Sequence, residues 1–376
     1  MPSGRRARVF IVDDSAVMRS LLRSVIGSDP GLELAGAASD GKSALASIES
    51  LRPDLILLDV EMPVMDGLAT LRQLRARNAR IPVIMCSSLT HRGAKVTIEA
   101  LAGGASDYVA KPTGHANLAA ASQALAQDLL PKIHALTSSV AGSPSNSAAS
   151  RPELLPAMMP PATPLPIPSV LSVMVIGVST GGPAALDMLL PALPASFPLP
   201  VLIVQHMPEL FTQLLAERLA QRCPLKVKEA SEGDQVRPGT IHIARGNWHL
   251  EVLAGSRPGG ASTLHLTQNA PENHCRPAAD VLFRTAVQVY GSGVLAVVLT
   301  GMGSDGLAGV RLIRAQGGAV FAQDQASSTV WGMPGAVVRA GLAHRVLPLA
   351  AVVPEILQLV SRSQSEAREL RETAAF

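Results

Sequence analysis

Short apolar runs alternate with amphipathic stretches along the first 136 residues. Five of these runs are brief and rich in aliphatic side chains, which predicts buried β-strands. They cover residues 9–12, 34–38, 55–59, 83–86 and 107–110. Residues 15–26 instead place apolar side chains three and four positions apart, as an amphipathic helix does. Strands that alternate with helices in this way predict a parallel sheet covered on both faces.

The pattern breaks in residues 138–169, which contain eight Pro and seven Ser. A stretch of this composition buries too little apolar surface to fold, so it predicts an extended linker between two domains.

A second α/β pattern begins at residue 170. Residues 173–178, 200–204 and 294–299 are predicted strands, and residues 184–193 and 307–315 are predicted helices. These elements predict a doubly wound, mostly parallel sheet with Rossmann-like character.

Two further segments of the second half are less regular. Residues 240–266 mix Gly, His and alternating apolar positions, which predicts a strand or hairpin excursion. The charged residues after 361 predict a frayed helix or a disordered tail. The predicted fold class is therefore α/β with two domains. The predicted divisions are a first domain at 7–130, a linker at 131–169, a second domain at 170–361 and a charged tail at 362–376.

Composition narrows the classes of function. A chain of 376 residues is expected to form about two domains. The net charge of +3 and the 3% of aromatic residues argue against nucleic-acid binding. The three cysteines are far apart and predict reduced thiols, with no metal-binding spacing. No signal peptide or membrane-length apolar run is seen, so we expect a cytoplasmic protein without membrane insertion.

Carboxylates follow two predicted strands of the first half. Asp13 and Asp14 come after one strand and Asp59 ends another, so all three are expected at one edge of a parallel sheet. Such a cluster repels itself unless Mg²⁺, which prefers oxygen ligands, is bound. Lys111 and Ser87 add a positive charge and a hydroxyl at neighbouring strand ends. The pattern predicts a metal-assisted phosphoryl acceptor.

A second candidate site uses three strand ends of the other half. Ser179 precedes Thr180-Gly181-Gly182 at a strand-to-helix turn, His206 ends the next strand, and Asp305 follows a third. A serine nucleophile, a histidine base and an orienting carboxylate form a hydrolytic triad, recognised by roles rather than by order. The same Gly-rich turns also suit a phosphate-binding turn of a nucleotide-binding domain. Spacing alone leaves these two interpretations open.

The first half resembles the receiver domain of bacterial response regulators, which has a flavodoxin-like, five-stranded parallel sheet. The resemblance rests on Val12-Asp13-Asp14-Ser15, Asp59 with Met62-Pro63-Val64-Met65-Asp66-Gly67, Ser87 and Lys111-Pro112. It implies that Asp59 accepts the phosphoryl group. It also implies that Asp13, Asp14, Asp59 and the backbone of Glu61 hold Mg²⁺. Ser87, Tyr108 and Lys111 would act as the switch hydroxyl, the switch aromatic ring and the phosphoryl contact.

The whole chain resembles the chemotaxis protein-glutamate methylesterase (CheB) family. The motifs that carry this resemblance are Ile176-Gly177-Val178-Ser179-Thr180-Gly181-Gly182, Gln205-His206-Met207 and Leu299-Thr300-Gly301-Met302-Gly303-Ser304-Asp305-Gly306. It implies catalytic Ser179, His206 and Asp305, without a cofactor in the esterase site. Backbone N–H groups near Thr180 or Met302 are expected to hold the oxyanion. One departure is Arg245, where the family pattern has Pro; the other is the long Pro-rich linker.

The resemblance implies hydrolysis of glutamate methyl esters on chemoreceptors and deamidation of certain receptor glutamines. A chemotaxis histidine kinase would supply the phosphoryl group. We expect the unphosphorylated receiver to pack over the cleft and phosphorylation of Asp59 to shift that equilibrium. Two alternatives are a response regulator with a DNA-binding output domain and a nucleotide-binding regulator.

Overall fold

The first domain is built on a five-stranded parallel sheet in the order β2-β1-β3-β4-β5. The computed structural model describes residues 5–77, 80–112, 117–138, 170–255 and 260–374. The strands are β1 (Ala7–Val12), β2 (Leu32–Ala38), β3 (Leu55–Asp59), β4 (Val83–Ser87) and β5 (Asp107–Ala110). The helices are α1 (Ala16–Gly27), α2 (Gly41–Leu51), α3 (Gly67–Ala76), α4 (His91–Ala102) and α5 (Leu118–Ser138).

The second domain has a seven-stranded parallel sheet in the order β14-β13-β12-β6-β7-β9-β8. Its strands are β6 (Val173–Val178), β7 (Val201–Gln205), β8 (Lys226–Glu229), β9 (Thr240–Ile243), β12 (Val294–Val298), β13 (Ala319–Gln323) and β14 (Arg345–Leu347). Strands β10 (His249–Leu253) and β11 (Thr263–Thr267) form a separate antiparallel hairpin. The helices are α6 (Gly182–Leu189), α7 (Glu209–Ala220), α8 (Ala279–Tyr290), α9 (Leu307–Ala315), α10 (Met333–Arg339) and α11 (Leu349–Ala374).

The central strands are buried on both faces, as expected for a parallel sheet covered by helices. Strands β3, β4, β6, β7 and β12 have every residue buried. The predicted fold class is confirmed in both domains. In the second sheet the chain moves outward from β6 through β7 on one side and through β12 on the other. The carboxyl ends of these three strands therefore meet at the switch point of strand order, where α/β proteins bind ligands.

The last helix of the first domain extends beyond the predicted boundary at residue 130. Helix α5 continues to Ser138 because Leu125, Leu129, Ile133 and Leu136 keep one face buried at helical spacing. The predicted boundary lies too close to the N-terminus because it was placed from the Pro-rich composition, which begins only near residue 138. The remainder of the predicted linker, residues 139–169, lies outside the described residues.

The predicted tail at 362–376 is also helical as far as the structure describes it. Helix α11 continues through residue 374, and Ser363 is buried, with its Oγ accepting a hydrogen bond from the Leu171 backbone N–H at 2.7 Å. At least the start of this segment therefore packs on the second domain. The segment 240–266 was only partly predicted, because β9 belongs to the main sheet and only β10 and β11 form a hairpin. Within the described residues, no helix is long and apolar enough to cross a membrane.

Candidate functional site

The three acidic side chains of the first domain meet at one edge of its sheet. Oxygen atoms of Asp13, Asp14 and Asp59 all lie within 4.8 Å of one another. Asp13 and Asp59 are buried, whereas Asp14 is exposed. Their strands β1 and β3 are hydrogen-bonded neighbours, which is why residues far apart in sequence come together. The acidic cluster predicted from the strand ends is thus formed.

Lys111 links two of the carboxylates. Its Nζ lies 3.0 Å from Asp13 Oδ2 and 2.7 Å from Asp59 Oδ1. Burial raises the pKa of Asp59; the Lys111 contact opposes this, Asp13 adds to it, and the pKa reaches about 6. One lysine therefore does not neutralise the cluster, and a divalent cation would complete the neutralisation.

The composition of this cluster fits Mg²⁺. Three carboxylates offer hard oxygen ligands at one open edge, with one of them exposed to solvent for entry of the ion. The Glu61 N–H lies 3.4 Å from Asp59 Oδ1, so the Glu61 backbone runs beside the same group. The Glu61 side chain pairs with Arg92 at 3.4 Å.

The two predicted switch residues lie on the neighbouring strands. Ser87 ends β4, and its Oγ accepts a 2.7 Å hydrogen bond from Thr97, a partner that sequence reasoning missed. Tyr108 lies in β5 and is buried, because its ring stacks on Phe211 of the second domain with centroids 4.5 Å apart. The switch aromatic position is therefore part of the contact between the two domains.

Ser179 lies at the turn between β6 and α6. Its backbone N–H donates to Thr300 at 3.0 Å, and its carbonyl accepts from Gly182 at 2.7 Å. Gly181 has a φ of 78°, and a Cβ at Gly301 would lie 2.8 Å from the Ser179 Cβ. Glycine is therefore required both for the turn and for the close approach of the following loop.

His206 and Asp305 form a hydrogen-bonded pair beside this turn. The distance from His206 Nε2 to Asp305 Oδ2 is 2.7 Å. His206 follows β7, whose register with β6 places the His206 N–H 3.2 Å from the Val178 carbonyl. The three strand ends thus converge as the sequence predicted. Within the described residues, Ser179 Oγ makes no hydrogen bond; in enzymes, hydrogen bonds between catalytic groups often tighten only when substrate binds.

Asp305 is held by donors in addition to His206. The Ala279 and Asp280 backbone N–H groups, at the start of α8, donate to it at 2.6 Å and 3.1 Å. Asn273 Nδ2 donates at 2.9 Å. Burial opposes the charged carboxylate, but the hydrogen bonds from His206 and from α8 outweigh it and lower the pKa of Asp305. Asp305 is therefore a buried anion at a helix N-terminus, where the peptide dipoles favour negative charge.

The charge of Asp305 acts on His206 in turn. Burial of the ring disfavours the imidazolium, but contacts with Asp305 and Cys275 favour it, and the net effect raises the pKa of His206 to about 9. The unperturbed pKa of about 6.5 expected from the sequence therefore does not hold in this arrangement.

Both candidate oxyanion donors face the same cleft as Ser179. Thr180 and Met302 line a cleft of about 880 Å³ together with Ser179 and His206. In the described part of the chain, neither the Thr180 nor the Met302 backbone N–H has a hydrogen-bond partner. Both groups therefore remain available to a bound oxyanion.

The first domain covers this cleft. Asp107, Tyr108 and Lys132 line it from the side of the first domain. Thr180 Oγ1 donates to Asp107 Oδ2 at 2.6 Å, which joins the residue after Ser179 directly to β5. Helix α4 packs against α6 and α7. The structure is thus a docked form in which the two domains share the cleft.

Several residues of the site had no sequence signal of their own. Asn273, Cys275 and Asp107 act through contacts between segments far apart in the chain, which spacing does not reveal. At Arg245, where the sequence departs from the family pattern, the side chain pairs with Glu209 and lies 5.8 Å from the Trp248 ring. Arg245 thus packs beside the cleft residue Glu209 rather than entering the triad.

Comparisons with known proteins agree with both halves of this arrangement. The CheB methylesterase family model matches residues 174–356, and the response regulator receiver domain model matches residues 9–123. A protein-glutamate methylesterase/protein-glutamine glutaminase of Nocardioides sp. is 48% identical over 358 residues, which covers 95% of this chain and 96% of that protein. A protein of the same name from Trichodesmium erythraeum is 44% identical and covers 94% of this chain and 99% of its own length.

A solved structure is also similar in sequence. The crystal structure of the Thermotoga maritima CheB methylesterase catalytic domain is 42% identical, covers 50% of this chain and 99% of that chain, and has a TM-score of 0.49. The family model over residues 174–356 and the two relatives that match almost the whole chain favour a methylesterase over the DNA-binding and nucleotide-binding alternatives. With relatives more than 40% identical over almost its whole length and family models matching both of its domains, the chain belongs to the CheB methylesterase family, with an N-terminal response regulator receiver domain.

Proposed function

We propose that this chain is a phosphorylation-regulated serine hydrolase of chemotaxis adaptation. It removes methyl groups from glutamate methyl esters on chemoreceptors and deamidates specific receptor glutamines. The observation that carries the proposal is the 2.7 Å His206–Asp305 pair beside Ser179, in a cleft that the receiver covers. The names of relatives that match almost the entire chain supply the substrate class. We place this reaction in the cytoplasm, where a chemotaxis histidine kinase would phosphorylate the receiver.

The proposed reaction uses Ser179 as nucleophile and His206 as base. Because Nε2 of His206 is occupied by Asp305, Nδ1 is the nitrogen that takes the Ser179 proton. Ser179 Oγ attacks the ester carbonyl, and the Thr180 and Met302 N–H groups receive the oxyanion. His206 then returns the proton to the leaving methoxide, and methanol departs. Water, activated by the same imidazole, hydrolyses the acyl-enzyme; for a glutamine substrate the leaving group is ammonia.

The proposed switch is phosphorylation of Asp59. Asp13, Asp14, Asp59 and the Glu61 backbone would hold Mg²⁺, which supplies charge shielding for phosphoryl transfer to the carboxylate. Lys111 and Ser87 stand at the same edge to contact the phosphoryl oxygens. Tyr108, on the adjacent strand, stacks on Phe211 across the domain contact. Strands β4 and β5 therefore connect the acidic cluster to the contact between the two domains, and phosphorylation at the cluster would act on that contact through them.

A direct experiment is to incubate the full chain with membranes containing methylated chemoreceptors. We expect methanol release, together with loss of methyl groups and conversion of glutamine to glutamate in receptor peptides analysed by mass spectrometry. Unchanged receptor peptides and no methanol, at any pH between about 6 and 9 and with or without a phosphodonor, would refute the proposed function.

The unphosphorylated enzyme should become more active as pH rises toward about 9. The base must be neutral to accept the Ser179 proton, and the contacts with Asp305 and Cys275 keep His206 protonated at lower pH. Below this pKa the rate should rise about tenfold per pH unit, because the neutral fraction does. Methanol release at saturating substrate, measured from about pH 6 to 10, provides the test. A rate that is flat above about pH 7 would contradict the pKa of His206 in the docked form.

Loss of the Asp107 carboxylate should raise the activity of the unphosphorylated chain. In Asp107→Ala the buried hydrogen bond from Thr180 is lost, while Ser179 and His206 are untouched. A hydrogen bond to a charged group contributes about 1.5 kcal/mol or more, so undocking should become about tenfold more favourable. Methanol release without phosphodonor measures the effect. Glu33→Ala, which removes partly exposed ion pairs with Arg6 and Arg8, is the matched control. Equal activity of both variants would show that this contact does not restrain the enzyme.

A further inference from the structure

A thiol contacts the catalytic side of the His206 ring. Cys275 Sγ lies 3.6 Å from His206 Nδ1, within hydrogen-bonding range for sulfur. This is the nitrogen that the proposed reaction assigns to Ser179. Ser179 Oγ itself makes no hydrogen bond in the described part of the chain. In the docked arrangement, therefore, the base is engaged by a thiol and not by the nucleophile.

The position of this thiol is set by a tight turn ahead of α8. Glu272 and Cys275 exchange backbone hydrogen bonds of 3.1 Å and 2.8 Å. Between them, Asn273 and His274 have φ values of 51° and 62°, a region that non-glycine residues seldom occupy. Arg284 anchors the turn through Glu272 at 2.7 Å. A turn so closely constrained leaves Cys275 little freedom to move away from the ring.

The same turn also contacts the other end of the His–Asp pair. Asn273 Nδ2 donates at 2.9 Å to Asp305 Oδ1 and at 2.9 Å to Asp280 Oδ2. The turn thus fixes Asp305 through Asn273 and the imidazole through Cys275. Because Asp305 holds Nε2 and Cys275 holds Nδ1, the ring is held at both nitrogens.

We infer that Cys275 is a positioning residue of the esterase. Its thiol holds His206 by Nδ1 and restrains this nitrogen from pairing with Ser179. This inference rests on the proposed function and deepens its regulation. Substrate binding or receiver undocking must exchange the Cys275 contact for the Ser179 contact before proton transfer begins. Removal of the thiol therefore releases the base.

The charges around His206 agree with this role. The buried imidazolium is favoured by Asp305 and by Cys275, which together hold the pKa of His206 at about 9 against the effect of burial. Besides Tyr108, the other ionisable side chains that line the cleft are Asp107, Asp128, Lys132, Glu209, His274 and Arg276. None of these hydrogen-bonds to His206 among the described residues. Apart from Asp305, the thiol is thus the contact whose loss should move the titration of the base.

The test is the pH profile of methanol release by the full-length unphosphorylated chain. In Cys275→Ala we expect the acid limb to move down by about one pH unit, the effect of losing one hydrogen bond of ordinary strength. The rate below the limb should then rise about tenfold, with little change on the plateau. Cys275→Ser keeps an acceptor of similar size for the Nδ1–H of His206 and should give a smaller shift. Cys223→Ala removes a thiol that does not line the cleft and should leave the profile unchanged.

Two outcomes would overturn the inference. The profiles of Cys275→Ala and Cys275→Ser could superimpose on that of the parent chain, or both variants could lose activity by one factor at every pH. The second outcome would show that Cys275 supports the fold of the turn without acting on the base.

A readout that needs no ester substrate separates this inference from the proposed function. Iodoacetamide modification of Cys275, followed by peptide mass spectrometry, should be several-fold slower in His206→Gln than in the parent chain, because a positively charged ring beside the sulfur promotes its reactivity. Modification of Cys223 in the same samples serves as the internal reference. Equal rates at Cys275 would refute the Cys275–His206 contact. A slower rate without any methanol release would retain the contact and reject the esterase.

Discussion

Replacement of Ser179 with alanine is expected to reduce methanol release by about 10³-fold or more, and up to about 10⁶-fold if the triad acts as one unit. The reason is that an alanine side chain has no oxygen to form the acyl bond, and His206 then has no hydroxyl to activate. The fold should be unaffected, because the contacts of Ser179 with Thr300 and Gly182 are made by its backbone. Methanol release from methylated receptor membranes at about pH 9, where His206 is half neutral, measures the loss.

The chain offers a matched control at the other end of strand β6. Ser172 precedes β6 at the opposite end of the sheet and is exposed, so Ser172→Ala should retain the parent rate. Near-normal release by Ser179→Ala would disprove the nucleophile assignment, whatever the control does.

The second large effect is expected for Asp305→Asn, which should lower the rate by about 10⁴-fold. The amide keeps the size of the side chain but removes the charge that stabilises the imidazolium formed when Ser179 attacks. Because Asp305 is the leading favourable contact of the charged ring, the pKa of His206 should fall as well. A lower plateau combined with an acid limb at lower pH is therefore the specific signature, and both are obtained from one pH–rate profile.

Asp280 provides the comparison for this substitution. It is also buried at the start of α8 and shares Asn273 with Asp305, but it does not contact His206. Asp280→Asn should therefore cause a much smaller loss and leave the acid limb in place. Equal effects of the two substitutions would mean that Asp305 acts only by supporting the local fold.

The groups at strand ends were predictable from sequence because parallel-sheet geometry brings them to one edge. Asp13, Asp14 and Asp59 lie at the ends of strands that the apolar runs mark clearly, and the structure places their oxygens within 4.8 Å. His206 and Asp305 meet for the same reason at the switch point of the second sheet. Local pattern suffices for such residues because the sheet supplies the long-range geometry.

Short or exposed elements were less predictable. Strand β8 has only Val227 fully buried, and β14 has no fully buried residue, so their sequences lack a continuous apolar run. The extension of α5 past Pro131 was hidden because a proline and a neighbouring Pro-rich segment favour a boundary at that point. Burial against the sheet overrides this local preference.

Contacts between side chains that do not lie together at the strand ends of one sheet could not be predicted from sequence. The pairs Thr180–Asp107, Tyr108–Phe211 and Cys275–His206 each join side chains that no common spacing or motif connects. These contacts decide how the receiver docks and how the base is held. The candidate catalytic residues can thus be predicted from the sequence, whereas the contacts that restrain them depend on tertiary structure.

The central claim is that phosphorylation of Asp59 controls hydrolysis at Ser179. The most direct measurement is methanol release from methylated receptor membranes, with and without acetyl phosphate and Mg²⁺, by the parent chain and by Asp59→Asn. We expect the phosphodonor to accelerate the parent chain and to leave Asp59→Asn at its basal rate. A parent rate that ignores the phosphodonor, or equal acceleration of both proteins, would contradict control of the esterase through Asp59.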